Sequence, residues 1–194
     1  EILTALKEYG ITATFFVNGE FIRRHPDAVQ EIASSGHEVG SLFYTYFNMT
    51  DARFRIDKEF IKRGLARNED DYFVATGDEL SLLWHAPYYF VSSFIIEASR
   101  EMNYVYVGRA VDSLDWVTKE YERNSEGGLY YPAPLLVEKI LERKKPGSII
   151  PLRVGIPEGT RDDYLFNDLG ILINGLISQG YDVVPISTLI KHAR

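Results

Sequence analysis

The stretch TATFFV at residues 12–17 decides the fold class of this chain. Its β-branched and aromatic residues predict a short buried strand. Residues 1–9 before it have a helical pattern, with apolar residues on one face and Gly10 as the left-handed residue that ends the helix. The chain therefore begins with a helix followed by a strand, a step that is typical of parallel sheets.

The same alternation continues to the end of the chain. Helices are predicted at residues 24–34, 57–77, 92–102, 134–145 and 164–179, strands at residues 37–41, 80–84, 104–107, 148–152 and 181–186, and a loop at residues 122–128. Alternation of this kind predicts an α/β fold with a largely parallel sheet. Because there are five or six such units in 194 residues, we expect a barrel and a single domain over residues 1–194.

Composition excludes several classes of protein. The chain has 21 basic and 28 acidic side chains and a formal charge of −7, which argues against a nucleic-acid partner. No apolar run approaches the roughly 18 residues that span a bilayer, so we expect no transmembrane segment. With no cysteine, a metal would need carboxylates or the four histidines as ligands. His25, His37 and His192 are interpreted as surface or structural residues, whereas His85 follows a predicted strand and both a functional and a structural role stay open.

Short motifs along the chain resemble those of one known family. They are ATFFVNG (13–19), GHEVG (36–40), APY (86–88), DSLDW (112–116) and PGSII (146–150). In this order they resemble the polysaccharide deacetylases with the NodB homology domain, carbohydrate esterase family 4. The resemblance implies a distorted (β/α) barrel with its site at the C-terminal ends of the strands. It also implies a hydrolase that removes acetyl groups from N-acetylated sugars with a divalent metal, commonly zinc, held by one Asp and two His. A second Asp acts as the base in such enzymes and a further His as the acid.

The chain departs from the family pattern at the metal ligands. Active members have Asn-His-Thr-Tyr-Thr-His after GHEVG, whereas this chain has SLFYTY (41–46), so Leu42 and Tyr46 occupy the positions of the two metal histidines. Leucine has no donor atom, and a phenol with an ordinary pKa of about 10 is a poor zinc ligand at neutral pH. The motif that carries the family's two aspartates, Thr-Phe-Asp-Asp-Gly, is expected to lie before Glu1. We therefore expect no metal cofactor, and zinc or another divalent metal only if the standard chemistry survives.

Two further positions are exchanged relative to the family. His85 stands where the third motif has Arg, and Arg153 stands where the fifth motif, Leu-His, has its His. We hypothesise that His85 and Arg153 keep one titratable acid and one fixed cation in the cleft. Arg153 would then pair with an Asp before Glu1, and His85 would donate to the leaving amine.

The fourth motif matches the family fully. The resemblance implies that Asp112 tunes the catalytic acid and that Asp115 and Trp116 lie at the sugar site, while a turn-capping Asp and a core Trp remain the alternative. It also implies a substrate contact at Tyr88, whose backbone N–H would stabilise an oxyanion. The aromatic residues of 43–47 are interpreted as filling a vacated metal pocket, with a sugar platform as the alternative. Arg161 and the two aspartates after it are interpreted as a loop ion pair without a catalytic role.

Two functional hypotheses follow. In the first, the chain is a polysaccharide deacetylase-like domain that has lost the metal chemistry and acts as a glycan-binding or scaffolding module of a cell-envelope protein. In the second, it is an active hydrolase on the amide bonds of N-acetylated sugars that uses His85, Arg153 and upstream aspartates. Both hypotheses give a carbohydrate partner, such as peptidoglycan or another N-acetylated glycan, and the family resemblance implies an extracytoplasmic or cell-envelope location.

Overall fold

A computed structural model describes residues 1–124, 128–154 and 161–192 of the chain. In order along the chain, the helices and strands are α1 (Ile2–Glu8), β1 (Thr14–Val17), α2 (Gly19–Arg24), α3 (Pro26–Ser34), β2 (Glu38–Ser41), α4 (Lys58–Thr76), β3 (Leu83–Trp84), α5 (Ser93–Arg100), β4 (Val105–Tyr106), α6 (Lys119–Asn124), α7 (Ala133–Arg143), α8 (Leu169–Ser178) and α9 (Ile186–His192). Short 3₁₀ turns cover Pro87–Tyr89 and Leu165–Asp168. The chain divides into two compact units, residues 13–108 and residues 1–12 with 109–194, which are described in turn. The single domain over residues 1–194 stays a prediction.

The unit of residues 13–108 is built on a parallel sheet. Its strands lie in the order β1-β2-β3-β4 and every neighbouring pair is parallel. The register places Thr14 opposite Glu38 and Val17 opposite Ser41. The predicted strands at residues 12–17, 37–41, 80–84 and 104–107 are therefore confirmed, although β3 and β4 pair over only two residues each. Parallel strands with helices between them bring the C-terminal strand ends to one edge of the sheet.

Local sequence signals explain where the helices of this unit begin and end. The Asp57 side chain caps α4 by accepting a hydrogen bond from the Phe60 N–H at 2.8 Å, and Gly77 ends the helix with a φ of 78°. Asn18 caps α2 in the same way. The sequence pattern does not predict α2, because six residues are too few for a helical period to be visible. The core packs around the fully buried Trp84, whose indole N–H donates to the Ser99 hydroxyl at 2.9 Å.

The second unit is mainly helical in its described residues. Its core contains side chains of α7 and α8, including Leu136, Ile140 and Leu172. The strands predicted at residues 148–152 and 181–186 were wrong, since these described segments are irregular and α9 begins at Ile186. Each segment contains a proline that removes an N–H from any ladder, at Pro151 and Pro185.

Other predictions in this unit were partly right. The helix predicted at residues 164–179 is divided into a 3₁₀ turn and α8. Of the predicted loop at residues 122–128, residues 125–127 lie outside the described residues, and residues 122–124 belong to α6. Among the described residues of the whole chain, no helix has the length and apolarity needed to cross a bilayer.

Candidate functional site

Two of the residues predicted for the site lie directly after neighbouring strands. Leu42 follows β2, and its N–H donates to the Val17 carbonyl at the end of β1 at 2.8 Å. His85 follows β3, and its N–H donates to the Ser41 carbonyl at 2.9 Å. These bonds extend the sheet ladder by one step and place both residues at the C-terminal edge, where α/β folds carry their ligand sites.

The backbone at this edge is strained. Phe43, Tyr88 and Tyr89 have φ values of 63°, 56° and 63°, in the left-handed region that residues with a Cβ rarely occupy. Each such residue costs about 1–2 kcal/mol. Strain of this kind persists where the surrounding structure determines it, and it concentrates at functional sites.

Packing against α4 determines the conformation of Phe43. Its side chain is buried, and its ring lies so close to Gly64 that a Cβ on Gly64 would be 2.1 Å from the Phe43 Cζ atom. The ring also packs near Phe47 and Phe60, at centroid distances of 6.3 and 5.8 Å. For Phe43 the structure therefore supports the interpretation as core filling, and the ring anchors the segment that carries Leu42 and Tyr46.

Tyr46 and Tyr88 instead form an exposed aromatic pair. Their rings lie 4.5 Å apart between centroids, and the two residues are 37% and 49% exposed. The turn that carries Tyr88 is closed by hydrogen bonds from the Tyr89 and Phe90 N–H groups. An exposed pair of phenol rings offers flat apolar surface with polar edges, which suits a ligand that has both apolar and hydroxyl faces.

The His85 ring is held by a hydrogen bond and by aromatic neighbours. Its Nδ1 lies 3.2 Å from the Val107 carbonyl oxygen, and its ring centroid is 3.9 Å from that of Tyr89. Because a carbonyl only accepts, this bond assigns the proton to Nδ1 and the lone pair of the neutral ring to Nε2. His85 would therefore act as an acid through Nε2 only in its protonated form.

The chemistry of Leu42 and Tyr46, the residues predicted at the metal positions, does not fit a divalent metal. Leu42 has no donor atom, and the Tyr46 ring packs against Tyr88. Within residues 1–124, 128–154 and 161–192, no three His, Asp or Glu side chains come together in a group that could hold a metal ion. The assignment of the family's two metal histidines to positions 42 and 46 stays a prediction from the motif order.

In the second unit, Asp115 contacts the segment that carries Arg153. Asp115 is buried, and its Oδ2 accepts from the Arg153 backbone N–H at 2.6 Å while its Oδ1 accepts from the Ser113 hydroxyl at 2.8 Å. Burial raises the pKa of Asp115 above its ordinary value, although both hydrogen bonds and the nearby arginines act in the opposite direction. The fourth and fifth motifs are therefore joined through this carboxylate.

Asp112 has different partners among the described residues. Its Oδ1 accepts from the Trp116 indole at 3.2 Å and from the Leu114 N–H at 3.1 Å, and its Oδ2 pairs with Arg109 at 2.9 Å. Asp112 thus holds the turn and orients Trp116. His85 and Arg153 belong to different units, so their exchange stays a hypothesis.

Arg161 is a buried residue whose role the sequence did not indicate. It was expected in a loop ion pair, but its guanidinium donates to three backbone carbonyls, those of Val117 at 2.7 Å, Tyr131 at 2.9 Å and Asp163 at 3.1 Å. The Asp163 carboxylate accepts instead from the Tyr130 hydroxyl at 2.7 Å. The loop sequence around Arg161 does not predict that its side chain is buried.

Comparison with known proteins supports the family resemblance. A family model described as polysaccharide deacetylase matches residues 1–107. A chitooligosaccharide deacetylase from Bradyrhizobium sp. (strain ANU 289) is 23% identical over 198 residues, covering 97% of this chain and 83% of that protein.

Solved structures share the fold of this chain. A CE4 family pseudoenzyme from Bacillus anthracis aligns with a TM-score of 0.77 and 21% identity, over 97% of this chain and 58% of its own. A mutant of that pseudoenzyme, described as having restored enzymatic activity, aligns equally well over 60% of its own chain. PdaA of Bacillus subtilis, a family 4 carbohydrate esterase, aligns with a TM-score of 0.79 and 21% identity over 100% of this chain and 74% of its own. These likenesses confirm the predicted fold class. This chain spans about three fifths of the pseudoenzyme's length.

Proposed function

Because the chain belongs to the polysaccharide deacetylase family, we propose that it is a glycan-binding domain of that family without the standard metal-dependent deacetylase chemistry. The observation that carries the proposal is the presence of Leu42 and Tyr46 where active members hold two metal histidines. Removing two of three protein ligands removes the means to polarise an amide carbonyl and activate water. The fold shared with a Bacillus anthracis pseudoenzyme is compatible with such a loss.

A glycan ligand is supported by the surface that replaces the metal ligands. Tyr46 and Tyr88 present neighbouring exposed rings beside the strained turns after β2 and β3. The relatives are described as deacetylases of chitooligosaccharides and of peptidoglycan. We infer that N-acetylated glycan chains lie against the two tyrosines. Sugar contacts at Trp116 and Asp115 are a separate prediction for the other unit.

A second candidate function is an active hydrolase that uses the exchanged residues. It is favoured by His85, whose ring is oriented by the Val107 carbonyl so that Nε2 faces away from that bond. In this candidate His85 protonates the leaving amine and Arg153 pairs with an upstream Asp. Asp112 tunes the catalytic acid, as the resemblance implies. A catalytic His85 would give a pH-dependent rate that the conservative His85→Gln variant abolishes.

The experiment that tests the proposal measures binding and hydrolysis on the same sample. Chitotetraose is titrated into the chain in a calorimeter, and acetate release is then followed with and without added zinc. We expect binding without acetate release, and weaker binding by the Tyr46→Ala, Tyr88→Ala double variant. The matched control is Phe73→Ala and Val74→Ala, which removes two apolar side chains that are also exposed, on α4.

Three results would overturn parts of this assignment. Acetate release by the unmodified chain that His85→Gln or Arg153→Gln abolishes would replace the proposal with the active hydrolase. If neither single substitution changes binding or activity, the exchanged pair has no role in either function. Absence of chitotetraose binding would refute the glycan-binding proposal itself.

A further inference from the structure

A basic segment stands out in this acidic chain. Residues 53–67 contain six arginines and lysines against two acidic residues, whereas the whole chain has a formal charge of −7. The segment includes the first half of α4 and the loop before it. Arg53 pairs with Asp51, and Lys58 and Lys62 pair with Glu101. The positive charge without an acidic partner among the described residues is therefore that of Arg55, Arg63 and Arg67, and it favours an anionic ligand there.

Two neighbouring cavities lie along this segment. The first has a volume of about 310 Å³ and is lined by Phe43, Tyr44, Thr45, Phe60, Arg63, Gly64 and Arg67. The second, of about 320 Å³, shares Thr45 and Phe60 with the first and adds Arg55. We call the first cavity the arginine pocket. Cavities of this size, mainly apolar with a few charged groups at the rim, are typical of small-ligand sites.

The charged groups of the arginine pocket have no acidic partner among the described residues. The seven ion pairs of the described residues include neither Arg63 nor Arg67. They do not include Arg55 of the second cavity either. Arg67 instead lies over the Tyr44 ring, 4.1 Å from its centroid, and donates to the Tyr44 hydroxyl at 2.8 Å. A guanidinium held only by a neutral partner keeps donors available for an anion.

Arg63 and Arg67 are also unfavourable neighbours for helix stability. They are one turn apart on α4 and both are exposed. Like charges at this spacing destabilise a helix by about 0.2–0.5 kcal/mol. An anion that bridges both guanidinium groups would reverse the sign of that interaction.

The tyrosine that organises the pocket is fixed in place. Arg23 lies over the Tyr44 ring as well, 4.6 Å from its centroid, and is paired with Asp71. Gly19 lies close to the ring, since a Cβ on Gly19 would be 2.7 Å from the Tyr44 Cδ2 atom. The pocket wall is therefore preorganised, which lowers the entropy lost on binding.

We propose that the arginine pocket binds an anionic sugar, whose carboxylate or phosphate is held by Arg63 and Arg67 and whose ring packs against Phe60. The inference deepens the proposed glycan-binding function and rests on it for the sugar. The negative charge of the ligand is inferred only from the arginines of this pocket. An acidic residue of the glycan would thus be bound beside α4, with the neutral residues at Tyr46 and Tyr88.

The test compares three probes by calorimetry at low and moderate salt. They are a tetrasaccharide of alternating glucuronic acid and N-acetylglucosamine, N-acetylglucosamine 6-phosphate, and neutral chitotetraose. We expect at least one anionic probe to bind and to weaken as salt rises. Each of Arg63→Gln and Arg67→Gln should weaken that binding about tenfold, since each removes a charge-assisted hydrogen bond. Lys62→Gln is the matched control, because Lys62 lies on the same helix and pairs with Glu101 at 3.1 Å.

The outcomes separate this inference from the proposed function. Binding of the uronate probe alone or of the phosphate probe alone supports the inference and assigns the source of the anion. Equal affinity of the Arg63→Gln, Arg67→Gln double variant and the unmodified chain would overturn it, as would no anionic binding at millimolar concentration. Chitotetraose binding that Tyr46→Ala and Tyr88→Ala weaken, with no effect of the arginine variants, would leave the proposed function standing and refute only the pocket.

Discussion

Gly64→Ala is expected to destabilise the chain, although alanine is the better helix former. A Cβ at this position of α4 would lie 2.1 Å from the Phe43 Cζ, 2.4 Å from Cε2 and 2.9 Å from Cε1. Carbon atoms pack at about 3.5–4.0 Å, so the ring would have to move by roughly 1.4 Å or more. It cannot move freely, because Phe43 is buried and its backbone is already left-handed.

The magnitude follows from two opposing effects. Overpacking a core costs about 1–3 kcal/mol, and replacing Gly by Ala within a helix recovers about 0.5–1 kcal/mol. The net loss is between about 0 and 2.5 kcal/mol, and each kcal/mol lost lowers Tm by about 2–4 °C for a chain of this size. Gly170→Ala is the matched control in α8, where the nearest atom to a new Cβ is Tyr9 Cε2 at 3.7 Å and no loss is expected.

Urea unfolding followed by circular dichroism and by the fluorescence of the buried Trp84 measures this effect. Phe43→Leu removes the ring atoms that would clash, so in that background Gly64→Ala should be neutral or stabilising. The coupling between the two substitutions is then about 1 kcal/mol or more. A Gly64→Ala variant as stable as the Gly170→Ala variant, or one with the same effect in both backgrounds, would refute the packing of Phe43 on α4 and the anchoring of the loop that carries Leu42 and Tyr46.

Two further predictions concern the second unit. Burial raises the pKa of Asp115 above 3.8, so its contribution to stability is present at low pH and is lost as the pH rises through the raised pKa. In urea unfolding, the stability advantage over Asp115→Asn should therefore shrink as the pH rises above 3.8, and a constant difference would count against the burial. Arg161→Leu should destabilise the chain by about 1–3 kcal/mol, because the buried Val117 carbonyl loses its donor. The half-buried Tyr131 and Asp163 carbonyls lose theirs as well. A Tm within about 2 °C of the unmodified chain would contradict the three-carbonyl arrangement.

The fold was predictable where local signals agree with the packing. The Asp57 cap and the Gly77 terminus of α4, and the parallel strands β1 and β2, all follow from residue type and spacing. The predictions at residues 148–152 and 181–186 failed because apolar composition alone does not show that a neighbouring strand is available for pairing.

Motif order predicts which residues form the candidate site but not the contacts that they make. Motif order pointed to Leu42, Tyr46 and His85, and the structure places Leu42 and His85 at adjoining strand ends. Sequence alone could not show that Asp115 accepts from the Arg153 N–H, because that contact joins residues 38 positions apart. The pairing of Arg67 with Tyr44 was missed for the same reason.

The most direct test of the central claim is zinc binding measured by calorimetry on a longer chain that includes the Thr-Phe-Asp-Asp-Gly motif expected before Glu1, first unmodified at positions 42 and 46 and then as the Leu42→His, Tyr46→His double variant. The control is Leu42→Asn with Tyr46→Asn, which makes both positions polar without adding imidazole. We predict no stoichiometric zinc for the unmodified chain or the control, and a gain of zinc binding in the folded double-histidine variant. One tightly bound zinc in the unmodified chain, or no gain in a folded double-histidine variant, would contradict the loss of the metal ligands.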